Sequence, residues 1–281
     1  MILDKPLGMT STQAVGKVRW LFSAKKAGHA GTLDPLATGV LPIALGEATK
    51  TVPIVQEGRK TYRFTIAWGT ETATDDREGA VTATSEVRPD RAAVEAMLPR
   101  FTGTIAQIPP AFSAIKVDGE RAYDLARAGE VVDLDARDIT IESLTLLSHA
   151  AEATELEAVT GKGAYVRALA RDIARALGSR GHVSVLRRVA VGPFRDPLPL
   201  EKVESDSRET LLLPVSAGLA GLPEIRIDAG QAAAVRTGKT ILLTGSGSPV
   251  TLDRAWTSHS GAPVALGAVA HGQFTPSRVF R

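Results

Sequence analysis

Apolar and polar positions alternate from Tyr62 to Trp68, with Tyr, Phe, Ile and Trp set against Arg, Thr and Ala. A period of two predicts a half-buried strand with Tyr62 at its edge. Ile139 to Leu147 and Glu155 to Thr160 predict two further strands. Helical spacing governs other stretches. Val15, Val18 and Leu21/Phe22 follow Thr10-Ser11-Thr12, which offers an N-cap for a helix through about Phe22. Val166, Leu169, Ala170, Ile173 and Leu177 share one helical face, with Gly178 as the stop. Arg91 to Phe101 predicts a helix after Pro89-Asp90, stopped or bent near Pro99. Helices and polar-alternating strands in mixed order favour an α+β fold with an antiparallel sheet.

The pattern changes after Gly192-Pro193, Pro197 and Pro199. A helical stretch is expected near Glu209–Leu219. Residues 222–281 then read as short strands with many turns, a small all-β domain behind a larger domain of residues 1–220.

One segment fits neither period. Gly28-His29-Ala30-Gly31-Thr32-Leu33-Asp34-Pro35-Leu36-Ala37-Thr38-Gly39 holds a lone carboxylate between glycines and apolar residues. Pro35 biases Asp34 away from helical angles. Leu33, Leu36, Val40 and Leu41 would pin the loop to a core. Asp34 is therefore either the cap of a turn beginning at Pro35 or a catalytic carboxylate on a rigid loop.

Composition narrows the field. The 281 residues carry 44% hydrophobic and 23% charged side chains, as a globular protein does. The absence of cysteine excludes disulfides, thiolate metal sites and cysteine nucleophiles. Neither a membrane-length apolar run nor a signal-peptide plan is present, so a cytoplasmic location is expected. Net charge is only +2, but it is segregated: residues 1–30 balance at +4, residues 160–195 at +7, and residues 71–98 at −4. That distribution predicts a basic face for phosphate and an acidic back.

The 28–50 segment closely resembles the catalytic motif of the TruB family, the tRNA pseudouridine-55 synthases. The resemblance continues through Asp4-Lys5-Pro6, Lys60-Thr61-Tyr62-Arg63, Gln107-Ile108-Pro109-Pro110 with Ser113-Ala114-Ile115-Lys116, Gly161 to Arg167, and Leu186-Arg187-Arg188, in order over about residues 1–195. It implies a mixed, mainly antiparallel sheet about a central RNA-binding cleft, an RNA-grasping insertion at 110–137, and a C-terminal PUA-like domain. It also implies tRNA as substrate, no cofactor or metal, no obligate protein partner, and a monomer.

The resemblance assigns roles too. Asp34 acts on the sugar, Arg167 pairs with it, and Tyr62 stacks on the base and takes the C5 proton. His29 stacks on the RNA vacancy left by the extruded base. Tyr165 and Leu186 line the uracil pocket, and Lys5 and Lys116 support the cleft. Arg171 and Arg175, at i+4 and i+8 from Arg167, are expected to be solvated or to contact phosphate. Three rivals stand beside this reading: a guide-RNA-dependent enzyme, a tRNA-folding chaperone and a glycosidase. The last would need a second carboxylate in a matched motif.

Overall fold

The computed structural model describes all residues except 114, 118, 131, 206, 207 and 246, and the side chains of 116, 121, 124, 126, 127, 205, 208 and 209. Along the chain run β1 (Ile2–Lys5), α1 (Ser11–Leu21), β2 (Ala27–His29), β3 (Ala37–Leu45), α2 (Val52–Glu57), β4 (Lys60–Trp68), β5 (Thr70–Thr72), β6 (Val81–Thr84), α3 (Arg91–Met97) and β7 (Gly103–Gln107). There follow β8 (Lys116–Val117), β9 (Glu120–Arg121), α4 (Ala122–Arg127), β10 (Arg137–Ala150), β11 (Ala153–Thr160), α5 (Val166–Ala176), β12 (Gly181–Val191), β13 (Leu198–Pro199) and α6 (Leu200–Ser205). The C-terminal part holds β14 (Glu224–Arg226), α7 (Ala229–Arg236), β15 (Ile241–Leu242), β16 (Leu252–His259), β17 (Ala262–Ala270) and β18 (Gln273–Val279). Among the described residues no helix is long and apolar enough to cross a membrane.

The large sheet has the order β13-β1-β3-β12-β4-β11-β10-β7, with β2 added beside β3. Most pairs are antiparallel; β1/β13 and β3/β12 are parallel. The α+β expectation holds. Strand β4 obeys its period of two: Phe64, Ile66 and Trp68 are buried in the main core, while Arg63 meets Glu157 of β11 on the other face at 2.8 Å. It is an interior strand between β12 and β11, so Tyr62 is not at a sheet edge. Inclusion of Lys60 and Thr61, which pair with Val191 and Ala190, moves the strand's start ahead of Tyr62.

Helix α1 begins at a Thr10 capping box, with the Gln13 side chain returning to the Thr10 backbone. Helix α5 lays Leu169, Ala170, Ile173 and Ala174 into the core, and its end at Gly178 follows the glycine stop. The helix expected over residues 91–101 ends at Met97. Pro99 then sits in a 3-10 turn, Leu98–Phe101, where its missing N–H is tolerated.

Two expectations fail in the C-terminal part. The helical stretch at 209–219 is two 3-10 turns, Arg208–Leu211 and Val215–Leu219, because Pro214 interrupts it. The all-β unit contains α7, started by an Asp228–Gln231 capping box. Its sheet runs β14-β16-β17-β18-β15 around a separate core of Val235, Ala255, Val264, Ala265 and Phe274. The unit contacts helical segments outside the large sheet: Lys50 Nζ donates to the Val279 carbonyl at 2.7 Å, Arg254 pairs with Glu57 of α2, and Leu219 packs with Trp256.

The parallel β3/β12 pair has the tightest sterics of the sheet. Gly39 lies opposite Arg188 with φ of 103°, and a Cβ there would stand 2.1 Å from the Arg188 carbonyl oxygen. Gly39→Ala is expected to cost about 3 kcal/mol or more, from a strained φ plus a backbone clash. Thermal denaturation should show a Tm lower by roughly 10 °C; a Tm near wild type would contradict this account of the pair.

Candidate active site

Asp34 lies in a tight turn that leads into β3, closed by the Ala37 N–H donating to the Asp34 carbonyl at 3.1 Å. The turn is fixed from three sides. The buried Ser11 hydroxyl donates to the Leu33 carbonyl at 3.0 Å and accepts the Leu33 N–H at 2.8 Å. The Gly8 N–H donates to the Pro35 carbonyl at 2.8 Å. Beneath, Lys5 is wholly buried, its ammonium donating to the carbonyls of Met9 (2.6 Å), Pro6 (2.9 Å) and Pro35 (3.4 Å). Burial lowers Lys5 to about 8, opposed by the charge of Asp34. Lys5 therefore supports the loop from below and does not face the open side.

Arg188 of β12 reaches under the same loop. It is 1% exposed and donates from Nε to Val40 (2.8 Å), from Nη2 to Gly31 (3.0 Å) and from Nη1 to Thr32 (3.4 Å), all carbonyls. Gly31 has φ of 97°, and a Cβ there would meet Nη1 at 3.2 Å. A loop built this way has almost no freedom to move its carboxylate.

Arg167 opens α5 and reaches Asp34: Nε to Oδ2 is 2.9 Å. The exposure of the two side chains differs sharply, 6% for Arg167 and 38% for Asp34. The guanidinium is thus a buried support, and the carboxylate keeps a side open to a ligand. The other donors of Arg167 are occupied by the Thr74 carbonyl (Nη1, 2.8 Å), the Phe112 carbonyl (Nη2, 2.9 Å) and Asp76 Oδ2 (Nη1, 3.5 Å). Asp76 is itself held through Oδ1 by the Thr74 hydroxyl (2.5 Å) and the Glu78 N–H (3.0 Å).

Tyr165 precedes α5, and Gln107 clamps its backbone in both directions, at 2.9 Å and 3.2 Å. Burial raises the Tyr165 phenol above its ordinary value. The Ser113 hydroxyl beside it pulls the other way, and the charge of Asp34 adds to the rise. Burial, and then the charge of Arg188, lower His29 below its ordinary value, which favours a neutral ring; among the described residues its Nδ1 has no hydrogen-bond partner. Leu186 is buried in the main core, in register with Ala37 and Phe64. Lys116 lies in β8, but its side chain is outside the described residues. The 110–137 segment carries the β8/β9 hairpin and α4; Ala114, Asp118 and Val131 within it are also outside the described residues.

Arg171 and Arg175 correct the sequence reading. Arg171 is 8% exposed and bonds Asp75 Oδ2 from Nη1 at 2.8 Å. Arg175 makes a two-pronged pair with Glu71, at 2.6 and 2.8 Å. Neither simply solvates the helix or stands free for phosphate. The acids expected at the back include Glu71, Asp75 and Asp76, which instead turn inward against α5. The sequence reading missed Asp76 and Arg188. A signal existed for Arg188: its position falls in the buried phase of β12, with Leu186 and Ala190 on either side. Among the described residues no three His, Cys, Asp or Glu side chains gather as metal ligands.

A positively supported, ligand-accessible carboxylate can stabilise positive charge or attack an electrophilic carbon, as carboxylates do at sugar centres. Residues 19–166 match the model of the TruB family pseudouridylate synthase N-terminal domain, and residues 167–219 that of the tRNA pseudouridylate synthase B C-terminal domain. The tRNA pseudouridine synthase B of Mesorhizobium japonicum is 50% identical over 308 residues, covering all of this chain and 95% of that protein. That of Bradyrhizobium diazoefficiens is 52% identical over 292 residues, covering all of this chain and 85% of that protein. Among solved structures, a Cbf5-Nop10-Gar1 complex includes a chain with the same fold: TM-score 0.78 at 24% identity, over all of this chain and 84% of that one. Sequence motifs, fold and relatives converge, and the chain belongs to the TruB family of pseudouridylate synthases, which are isomerases.

Proposed function

We propose that this enzyme converts uridine-55 in the T-loop of tRNA to pseudouridine. The reading rests on the tRNA pseudouridine synthase B relatives and on one observation: an open carboxylate, Asp34, held 2.9 Å from the buried Arg167 guanidinium. The isomerisation breaks N1–C1′, turns the uracil, forms C5–C1′, moves the C5 proton away and leaves a proton on N1. Asp34 acts on the ribose to break the first bond. Arg167 pairs with the carboxylate and fixes the direction of its approach. Tyr62 stacks on the base and takes the C5 proton. Tyr165 and Leu186 line the base pocket, where the elevated phenol keeps Tyr165 protonated.

The target base is stacked in the tRNA elbow, and extruding it costs a few kcal/mol. The flat neutral ring of His29 fills the place it leaves. Lys116 and the 110–137 segment grip the RNA. Residues 222–281 serve as a PUA-like RNA-binding domain. The enzyme works in this reading as a monomer without a guide RNA. Phosphate contacts to the basic regions make binding weaken steeply with salt.

Tritium release from tRNA transcript labelled at uracil C5 tests this. Wild type should release label from one site in the T-loop, and Asp34→Asn should release none while binding tRNA as tightly; label lost from another position would overturn the assigned site. Arg167→Lys is expected to lose at least about 100-fold in single-turnover rate, because a point charge cannot reproduce the four contacts of the guanidinium. Equal losses in rate and tRNA affinity would contradict its role. Tyr62→Phe should retain tRNA affinity and lose roughly 10²–10⁴ in rate as the proton acceptor disappears. A normal rate in that variant would leave only stacking to Tyr62.

A further inference from the structure

The loop between β5 and β6 grips α5 through three consecutive residues, and the middle one has no part in the contacts to Arg167. Thr74 gives its carbonyl and Asp76 its carboxylate to Arg167. Asp75, between them, turns the other way and pairs with Arg171, one helical turn further along α5. Asp75 and Arg171 are 6% and 8% exposed. Asp75 holds φ of 58°, a left-handed conformation that costs a non-glycine residue free energy and persists only where its surroundings impose it. Its backbone is tied as well: the N–H donates to the Thr72 carbonyl at 3.1 Å, and the carbonyl accepts the Val183 N–H of β12 at 3.0 Å.

Each of the three guanidinium nitrogens of Arg171 makes a contact. Nε bonds Asp172 Oδ1 at 2.9 Å, Nη1 bonds Asp75, and Nη2 donates to the Ile108 carbonyl at 2.8 Å. Ile108 follows Gln107, the residue that clamps the Tyr165 backbone. One guanidinium therefore joins the loop that braces Arg167 to the strand end that braces Tyr165.

We propose that Asp75 and Arg171 are a positioning pair. They fix the peptide whose two neighbours grip Arg167, and through Arg167 they set the direction of the Asp34 carboxylate. The pair touches no reacting atom. This inference rests on the reading of Asp34 as the group that acts on the ribose.

The pair is also sensitive to protons. Burial raises Asp75 to about 6; Arg171, then Arg167, pull it down, Glu71 pushes it up, and Arg175 pulls it down. Asp76 lies next to it in the loop, and Asp172 shares Arg171. Asp75 is ionised above about pH 6 and protonated below it. Below that pH Arg171 loses its charged partner in the loop, the grip on Arg167 loosens, and turnover slows.

The test is the single-turnover rate of the full chain at saturating tRNA from pH 5 to 8.5, for wild type, Asp75→Asn, Arg171→Lys and Asp34→Asn. Thermal denaturation and tRNA affinity are measured on each. Asp75→Asn keeps the shape of the side chain and removes its proton switch. It should run about tenfold slower than wild type at pH 7.5, bind tRNA within about threefold of wild type, and show no acid fall near pH 6. Arg171→Lys should keep the acid fall and lose several-fold in rate. A wild-type rate flat through pH 6 overturns the proposal. So does an Asp75→Asn profile that parallels wild type at any height, because a merely structural pair would lower the rate without changing its pH dependence. Turnover retained in Asp34→Asn would sink the underlying reading of the site instead.

Discussion

The structure depends on keeping the Arg167 guanidinium charged and buried. An arginine at that depth is tolerated only when its donors are met, since an unmatched buried charge costs several kcal/mol. Asp34, Asp76 and two carbonyls from separate segments meet them. Removing any one leaves a charged donor in a dry place. The requirement draws the Asp34 turn, the loop after β5 and the segment at Phe112 to the head of α5, so the same interaction that stabilises the interior also assembles the site.

The loop under Asp34 follows a second rule: buried cations matched by backbone carbonyls. Lys5 and Arg188 donate six hydrogen bonds to main-chain oxygens around the turn. Carbonyls neutralise less charge than carboxylates do. The loop is therefore set in a positive surrounding. Position and electrostatics come from the same few side chains.

Much of this was legible in the chain. The periods of β4 and α5 were visible because their buried faces are continuous, and Gly178 and the Thr10-Ser11-Thr12 cap marked ends that local chemistry alone determines. The Asp34 loop stood out because its glycines and Pro35 fit neither helix nor strand. What stayed hidden was tertiary. Nothing local in Glu71, Asp75 or Asp76 distinguishes an acid facing water from one facing an arginine on a helix some hundred residues away. Charge balance counted them as exterior and was wrong about their direction. The helix α7 was missed because its buried face is only Ala232 and Val235, while its capping box at Asp228 and Gln231 was the available sign.

The parallel pairing of β3 with β12 has a consequence in time. Arg188 reaches a carbonyl at Val40, 148 positions earlier in the chain. At ribosomal speeds of about 5–20 residues per second, roughly 7–30 s separate the synthesis of the two. Until that contact closes, the Asp34 turn exists without the arginine that reaches under it. Recovery of activity after dilution from denaturant would report the slowest long-range closure of the fold rather than the formation of its helices.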